Sequence, residues 1–421
     1  MAENWKKSIA EASCVRKAVL DNGLTVLVRE MPGFDGVHAV YSTKFGSIDR
    51  AFELDGRRWD LPAGIAHFLE HKMFENEDGD AFALYAKTGA NANAYTGFDR
   101  TSYVFTATSR VPENLDILLS FVSRPYFTKE TIEKEQGIIG QEIKMYDDSP
   151  EWRLVFGIYQ NLYQNHGIGE DIAGSTQSIA EITPEMLYAC TDAFYRPQNM
   201  VLAVAGNVTL EMVLDACARA DIPSRTAPVK RLVCEEPAGV KTHESEIRMA
   251  VAKPLVGLGF KETPIAETDI RAALICDILP ELVCGGTTPL YRRLYDEGLI
   301  SPDFSGEALS VAGATCILFG GETPEPEKVR DMLLEEIARL RREGIDRELF
   351  RLCKNAMYGD LVRGLENIEE TASGMASMFF RGCTVEDEAA ALAALRPEDV
   401  EEALRTMLLE EHASTVIIRP V

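Results

Sequence analysis

The stretch Gly64-Ile65-Ala66-His67-Phe68-Leu69-Glu70-His71-Lys72-Met73-Phe74 holds two of the six histidines in the chain. Its apolar residues recur at helical spacing, which predicts a helix over 63–75. Positions i and i+4 lie on one face of a helix, so the imidazoles of His67 and His71 can reach one metal ion. Glu70 follows His67 by three positions and leans toward the same point, where it can hold a water molecule. This H-x-x-E-H pattern is the mirror order of the H-E-x-x-H zinc motif.

A zinc ion at this point would need a third protein ligand. Catalytic zinc sites use three nitrogen or oxygen ligands and leave one position for water, whose pKa the metal lowers. The helix predicted over 128–145 offers Glu130, Glu133, Glu135 and Glu142. Glu135 and Glu142 are seven positions apart and therefore share a face. Taken alone, each glutamate is equally typical of a solvated helix face, and two histidines four positions apart also occur on ordinary helices.

The sequence repeats itself at an offset of about half its length. Pro184 and Pro397 are both followed by Glu, and each begins a predicted helix. These two prolines are 213 positions apart, and the apolar strands predicted over 200–204 and 415–418 keep the same spacing. A repeat on this scale predicts two copies of one structural unit.

We therefore expect an α+β fold of two homologous halves, each an antiparallel-rich sheet flanked by helices in an α/β sandwich. The predicted boundaries are a first domain over 1–215, a linker over 216–240 rich in Pro, Ala and charge, and a second domain over 241–421. Helix starts at Thr128 and Asp346, 218 positions apart, support the duplication. A chance likeness of short helix starts is the alternative.

Local patterns in the first half predict its elements. Asn22-Gly23 lies between apolar runs and is a strong hairpin signal. The remaining patterns predict a strand over 37–45, paired strands over 91–96 and 101–108, and helices over 80–88 and 112–122.

Composition excludes several classes of partner. The net charge is −24 over 421 residues, so a nucleic acid is an unfavourable partner, and no apolar run approaches the length of a membrane span. The nine cysteines are odd in number and form no CxxC pair, which argues against a disulfide framework and favours a reducing cytoplasm. Met1 to Arg16 has no apolar stretch of the kind a secretory signal requires.

The stretch 64–74 resembles the active-site helix of the pitrilysin/insulinase (inverzincin) family of zinc peptidases. That family's third zinc ligand is a glutamate about seventy positions downstream, with another glutamate seven positions before it. Glu142 lies 71 positions after His71, and Glu135 lies seven before Glu142. The resemblance therefore implies one Zn²⁺ per chain on His67, His71 and Glu142. It implies that Glu135 orients the site and that Glu70 is the general base.

The resemblance extends along the whole chain and implies where a peptide would bind. Residues 89–96 are similar to the family's edge strand, to which a peptide substrate adds itself as a further strand through main-chain hydrogen bonds. Asn91, Asn93 and Ala94 are the implied contacts, although an internal hairpin strand would show the same pattern. No H-x-x-E-H occurs in the second half, where positions 353 and 360 are Cys and Asp instead of the two glutamates.

The second half departs from the family in one place. Active members are expected to use an Arg and a Tyr, seven positions apart, to grip the substrate and the developing oxyanion. Arg363 matches the Arg, but Glu370 stands where the Tyr would be. The chain is most similar to bacterial members of its length that carry the zinc motif and work as pairs. It is therefore expected to be one half of a clamshell, as a homodimer or as a heterodimer with a related chain that supplies the Arg/Tyr pair.

The expected activity is zinc-dependent endoproteolysis of small or unfolded peptides. One alternative is a non-catalytic or partner-dependent subunit of a related peptidase complex, although a scaffold has no need of the four residues His67, Glu70, His71 and Glu142 together. Another alternative is a structural zinc site, which would want a fourth protein ligand, usually Cys.

Overall fold

The computed structural model of the protein describes residues 14–77 and 79–421. The expectation for Met1 to Arg16 therefore falls almost wholly outside the described residues. In the first half the elements are β1 (Val15–Val19), β2 (Thr25–Glu30), β3 (Val37–Thr43), β4 (Ala51–Leu54), β5 (Arg57–Asp60), α1 (Ile65–Met73), β6 (Glu75–Asn76), β7 (Gly79–Asp80), α2 (Ala81–Thr88), β8 (Asn91–Thr96), β9 (Thr101–Ala107), α3 (Val111–Ser123), α4 (Lys129–Asp147), α5 (Pro150–Leu162), α6 (Thr176–Ile179), α7 (Pro184–Phe194), β10 (Met200–Gly206) and α8 (Leu210–Arg219).

A short strand, β11 (Val229–Arg231), precedes the second half. The elements there are β12 (Glu244–Met249), β13 (Leu255–Glu262), α9 (Ile270–Cys284), α10 (Pro289–Asp296), β14 (Ser305–Val311), β15 (Ala314–Glu322), α11 (Pro326–Glu343), α12 (Arg347–Gly364), α13 (Ile368–Phe380), α14 (Val385–Ala394), α15 (Pro397–Ala403) and β16 (Ala413–Pro420).

The two main sheets confirm the predicted duplication. Their strand orders are β1-β2-β10-β3-β9-β8 and β12-β16-β13-β15-β14, so the second repeats the first without β1. Strand β2 pairs in parallel with β10, and strand β12 pairs in parallel with β16. Every other pairing in the two sheets is antiparallel. The helices follow in the same order as well. The chain thus has the expected α+β architecture of two related halves.

Local signals explain where the elements begin. Asn22-Gly23 forms the tip of the β1–β2 hairpin, and the Asn22 side chain accepts a hydrogen bond from the Leu24 amide at 3.1 Å. Thr128 caps α4, and Asp346 caps α12 at the equivalent place in the second half. These caps satisfy amides that a helix cannot bond internally. The repeated helix starts seen in the sequence are therefore structural.

Each face of the first sheet is covered by helices of a different half. Alternate residues such as Leu202 and Val204 of β10 face the helices of their own half. Val201, Ala203 and Ala205 of the same strand face the other way, where Ala372, Met375 and Ala376 of α13 pack on them in one buried cluster. Both faces are dry, which is why β10 is fully buried and reads as continuous apolar sequence.

The second sheet receives a helix from the first half in return. Leu154, Ile158 and Leu162 of α5 form a buried cluster with residues from one face of the second sheet, among them Leu255 and Val416. Helix α5 follows α4 just as α13 follows α12, so equivalent helices have changed places. We call this pair the exchanged helices.

The segment between the halves is held by a buried ion pair. Glu236 pairs with Lys261 Nζ at 2.5 Å, and their side chains are only 10% and 5% exposed. The Glu236 carboxylate also accepts the backbone amides of residues 164–166 at 2.7–3.0 Å. Residues 164–166 belong to the first half and Lys261 to the second, so Glu236 joins the two. Helix α8 and strand β11 both lie partly or wholly within the predicted linker 216–240, and the domain boundaries stay a prediction.

Replacing Gly259 by Ala should loosen the exchanged helix α5. An added Cβ would lie 2.2 Å from Ile158 Cγ2 and 3.0 Å from Leu318 Cδ2. Overpacking of this kind lowers the free energy of unfolding by about 1–3 kcal/mol, measurable by urea denaturation. Gly359→Ala in α12, where an added Cβ meets nothing within 4 Å, is the matched control and should raise it by up to ~1 kcal/mol. Equal stability of the two variants would contradict the packing described here.

Glu236→Gln should destabilise the protein in a pH-dependent way. Burial raises the pKa of Glu236, but Lys261 and the three amides outweigh it and hold the pKa below its usual range. This stabilisation is present above the unfolded pKa of about 4.3 and is lost as pH falls through the lower folded value. The variant should lose about 3 kcal/mol at pH 7 in urea denaturation. The difference from wild type should shrink below about pH 4. Exposed Glu235→Gln serves as the control, and a difference that does not depend on pH would disprove the ionic role.

Candidate metal centre and active site

Helix α1 is anchored at its start by two glycines. Gly64 and Gly174 both have positive φ, 87° and 75°, and an added Cβ on either would approach backbone oxygen of the other segment to 2.4–2.5 Å. Ser178 Oγ donates to the Ala63 carbonyl at 2.9 Å. The loop before α6 therefore lies directly against the first turn of α1. This contact fixes the direction in which α1 presents its side chains.

Three side chains converge on one point between α1 and α4. His67 Nε2 is 3.6 Å from Glu142 Oε1, and His71 Nε2 is 3.6 Å from Glu142 Oε2. One ligand atom from each residue lies within 4.8 Å of the others, and within the described residues this is the one group of three or more His, Cys, Asp or Glu so arranged. Ligand atoms of a tetrahedral zinc site are about 3.4 Å apart, given bonds of ~2.1 Å. The three residues therefore fit the set that zinc prefers.

The two histidines differ in their protonation. Burial, aided by the neighbouring His71, lowers the pKa of His67, which leaves its imidazole neutral near pH 7. His71 Nδ1 lies 3.1 Å from Glu135 Oε1, so Nδ1 carries the proton and donates it to the carboxylate. Burial lowers the pKa of His71, but the hydrogen bond to Glu135 and the charges of Glu70 and Glu142 outweigh it and raise the pKa above its usual value. A metal ion bound at Nε2 would therefore displace a proton from that nitrogen. His67 Nδ1 is buried and has no hydrogen-bond partner among the described residues.

Glu135 lies behind His71. Burial raises the pKa of Glu135, but the hydrogen bond from His71 and the charge of Lys72 outweigh it, so the pKa falls below its usual value. Lys72 is itself completely buried and forms a short ion pair with Glu75. A fixed anion behind a histidine orients the ring and increases its basicity. This is the arrangement expected of Glu135.

Glu70 lies on the cavity side of α1. Thr96 Oγ1 of β8 donates to Glu70 Oε2 at 2.9 Å, and the residue is 8% exposed. Burial raises the pKa of Glu70 to about 7. A carboxyl group with a pKa near neutrality can both accept and release a proton at working pH.

These residues share one cavity of about 310 Å³ with strand β8. Its lining residues are His67, Glu70, His71, Asn93, Ala94, Tyr95, Thr96, Glu142, Tyr146, Trp152, Ile172 and Ala173. Among residues 14–77 and 79–421, strand β8 is the last strand of its sheet and pairs only with β9, so within that part of the chain its other edge has free main-chain groups. Asn93 and Ala94 line the cavity as expected, whereas Asn91 lies two positions along the same strand, outside the lining.

Sequence reasoning missed an aromatic wall of this cavity. Tyr146, one helical turn after Glu142, donates its hydroxyl to Glu142 Oε1 at 2.8 Å. Its ring stacks on Trp152 with centroids 4.6 Å apart. The spacing of four from Glu142 was visible in the sequence, but nothing there indicated that the Tyr146 hydroxyl bonds to Glu142. Thr96, the partner of Glu70, was missed because the strand prediction did not fix its register.

Arg363 does not line this cavity. Its side chain lies on α12, is 76% exposed and pairs with Asp360. Glu370 lines a separate cavity between α12 and α13, together with Arg29 and Asp277. The role expected of Arg363 in holding substrate stays a prediction.

The second half has no metal set at the equivalent place. Cys353 of α12 is buried and Asp360 is exposed.

In the part of the chain that the structure describes, none of the helices has the length and apolar character that a membrane span requires.

Comparisons with known proteins agree with this organisation. The family model described as "Insulinase (Peptidase family M16)" matches residues 56–176, and that described as "Peptidase M16 inactive domain" matches residues 181–357. An uncharacterised zinc protease of Bacillus subtilis, YmfH, is 38% identical over 95% of both chains.

Solved structures show the same fold. A putative M16-like peptidase from Alicyclobacillus acidocaldarius superposes with a TM-score of 0.93 and 32% identity, covering 97% of this chain and 98% of that chain. The periplasmic protease PqqL from Escherichia coli has a TM-score of 0.75 at 19% identity, with 96% of this chain matching 47% of that one. The second likeness concerns the fold alone. On the extent of these matches, the chain belongs to the insulinase family of peptidases, family M16.

Proposed function

We propose that this protein is a zinc-dependent endopeptidase that hydrolyses small or unfolded peptides. The observation that carries the proposal is the convergence of His67, His71 and Glu142 beside the buried Glu70, in a cavity bounded by the open edge of β8. The zinc protease names of relatives support the choice of metal. A structural zinc site would want a cysteine as fourth ligand, and the residues lining this cavity include none.

The metal ligands have separate tasks in this proposal. His67 offers a neutral imidazole nitrogen, His71 offers Nε2 once the metal displaces its proton, and Glu142 offers a carboxylate oxygen. One zinc ion per chain would be held by these three side chains. Glu135 keeps His71 in the tautomer that frees Nε2. A bound zinc ion would supply Lewis acidity to a peptide carbonyl and to a water molecule.

Glu70 moves the proton. Thr96 occupies Oε2, which leaves Oε1 as the oxygen available to water. Oε1 takes a proton from the attacking water and passes it to the nitrogen of the leaving amine. The raised pKa of Glu70 suits a group that must do both.

A peptide would bind as an added strand along β8. Main-chain hydrogen bonds to the free edge give affinity with little regard to sequence, which suits an enzyme acting on unfolded peptides. Asn93 and Ala94 lie beside the cavity, and Asn91 continues the same edge. This geometry requires an extended substrate segment, so a folded protein is a poor substrate.

We propose that a second chain completes the site, in a homodimer or in a heterodimer with a related chain. The cavity is lined by residues from 67 to 173, so the second half contributes no Arg or Tyr to it. A related chain that supplies the Arg/Tyr pair would fill this role. All nine cysteines are free, which agrees with the proposed cytoplasmic location.

The purified chain should bind one equivalent of Zn²⁺. Replacing His67, His71 or Glu142 by Ala removes a metal ligand, so the affinity for Zn²⁺ should fall strongly. The loss should exceed the ~10–100-fold typical of replacing a residue that only hydrogen-bonds to a ligand. The measurement is a competition titration against a chromophoric chelator. His412→Ala, outside the cavity, is the control. Unchanged affinity in all three ligand variants would place the metal elsewhere.

Glu70→Gln should keep zinc and lose turnover. The amide preserves shape but cannot accept the proton, so kcat should fall by at least ~10²–10⁴-fold on a quenched peptide library. Exposed Glu113→Gln is the control. Retained cleavage by Glu70→Gln would refute the assigned role. Tight zinc binding without cleavage by the wild-type chain alone would favour a subunit that needs a partner, to be tested by adding a related chain with an Arg/Tyr pair.

A further inference from the structure

A chain of side-chain contacts leads from the metal-free half to Glu142. Glu142 Oε1 accepts the Tyr146 hydroxyl at 2.8 Å, and Tyr146 stacks on Trp152 with ring planes only 19° apart. Trp152 Nε1 donates to Asp171 Oδ2. Trp152 lies in the first turn of α5, the helix exchanged into the second half.

The two stacked rings, Tyr146 and Trp152, pack against different cores. Tyr146 packs against the core of the first half, whereas Trp152 packs against the cluster that α5 shares with the second sheet. One turn further along α5, Phe156 contacts Trp152 with centroids 4.8 Å apart and is buried in that shared cluster. The Tyr146–Trp152 stack is therefore a junction between the two cores.

Asp171 connects these contacts to the start of α1. Its Oδ1 accepts the Ala173 amide at 2.9 Å, while Oδ2 accepts the Trp152 indole. Ala173 is the residue against which Gly64 packs at the start of α1. The contacts thus run from α1 through the loop, Asp171, Trp152 and Tyr146 to Glu142, and Glu142 faces the histidines of α1 again.

The position of Glu142 makes such support necessary. Its side chain is 22% exposed and its two oxygens face different histidines, Oε1 toward His67 and Oε2 toward His71. A glutamate side chain has three rotatable bonds, and fixing it costs conformational entropy. The Tyr146 hydroxyl holds Oε1 in place, so the remaining oxygen keeps its direction.

We propose that Tyr146 is a positioning residue for Glu142 and is itself held in place by Trp152 and Asp171. Because Trp152 lies on the exchanged helix α5, its stacking on Tyr146 lets the metal-free half fix the geometry of the metal site. The proposal rests on the proposed function in that it takes Glu142 as a zinc ligand. It gives the second half a task in the chemistry although that half supplies no side chain to the cavity.

The first test removes one hydroxyl. Tyr146→Phe keeps the stack but not the hydrogen bond, and zinc affinity by chelator competition should fall about tenfold or more. The visible spectrum of the Co²⁺-substituted variant should shift, because it reports ligand geometry, while the unfolding midpoint of the metal-free protein should not change. Tyr188→Phe is the control away from the cavity, since the Tyr188 hydroxyl accepts from the Phe127 amide at 3.0 Å and donates to the Phe127 carbonyl at 3.5 Å.

The second test acts from a distance. Asp171→Asn is nearly isosteric, but it has one acceptor oxygen for the two donors that Asp171 now serves. Zinc affinity and the Co²⁺ spectrum should shift in the same direction as in Tyr146→Phe, by a smaller amount. The double variant should lose less zinc affinity than the sum of the two single variants, because both changes act on Glu142 through the Tyr146 contact.

The outcomes separate this proposal from the proposed function. If the wild-type chain binds no zinc, the proposed function fails. If the wild-type chain binds zinc but Tyr146→Phe has the same affinity and the same Co²⁺ spectrum, the positioning role fails while the function stands. Additive losses in the double variant would also overturn it. Should Tyr146→Phe not fold, Asp171→Asn decides, since an unchanged affinity and spectrum there would contradict the proposal.

Discussion

The exchange of helices α5 and α13 is the constraint on which the rest of the structure depends. Each sheet buries one face against helices of its own half and the other face against a helix of the opposite half. Leaving the apolar face of a sheet exposed to water costs a free energy of about 25 cal/mol per Å² of apolar surface. Neither half therefore has a complete core without the other, and the predicted boundary between them does not separate independent structures.

This arrangement gives the second half a structural role although it has no metal site. Its sheet holds α5 through contacts at Leu154 and Ile158, for which Gly257 and Gly259 of β13 leave space. The start of the same helix carries Trp152 into the wall of the cavity. In the function proposed here, one half carries the metal ligands, and the other packs against the helix that places Trp152 in the cavity wall.

The sequence predicted those features that depend on local spacing. The helix carrying His67 and His71 follows from helical periodicity. The choice of Glu142 and Glu135 among the four glutamates of the predicted helix 128–145 came from the resemblance to the peptidase family. The duplication was visible because helix starts and strands keep their separation. Two strand pairings were predicted, β1 with β2 from the hairpin signal at Asn22-Gly23 and β8 with β9 from adjacent strand patterns, but the order of the other strands was not.

Long-range contacts between apolar surfaces could not be read in the same way. The apolar residues of α5 indicate that this helix is buried, but the sequence does not indicate on which sheet Leu154 and Ile158 pack. The choice depends on space left by glycines about a hundred positions away. The aromatic wall at Tyr146 and Trp152 escaped notice for a similar reason, since their stacking depends on the angle between α4 and α5, which the sequence did not indicate.

The order of synthesis delays the burial of the first sheet's second face. Helix α13 leaves the ribosome roughly 160 residues after β10, about 8–30 s later at ~5–20 residues per second. Until then one face of the first sheet is uncovered, so a nascent chain of this protein is a natural client for a chaperone that binds apolar strands.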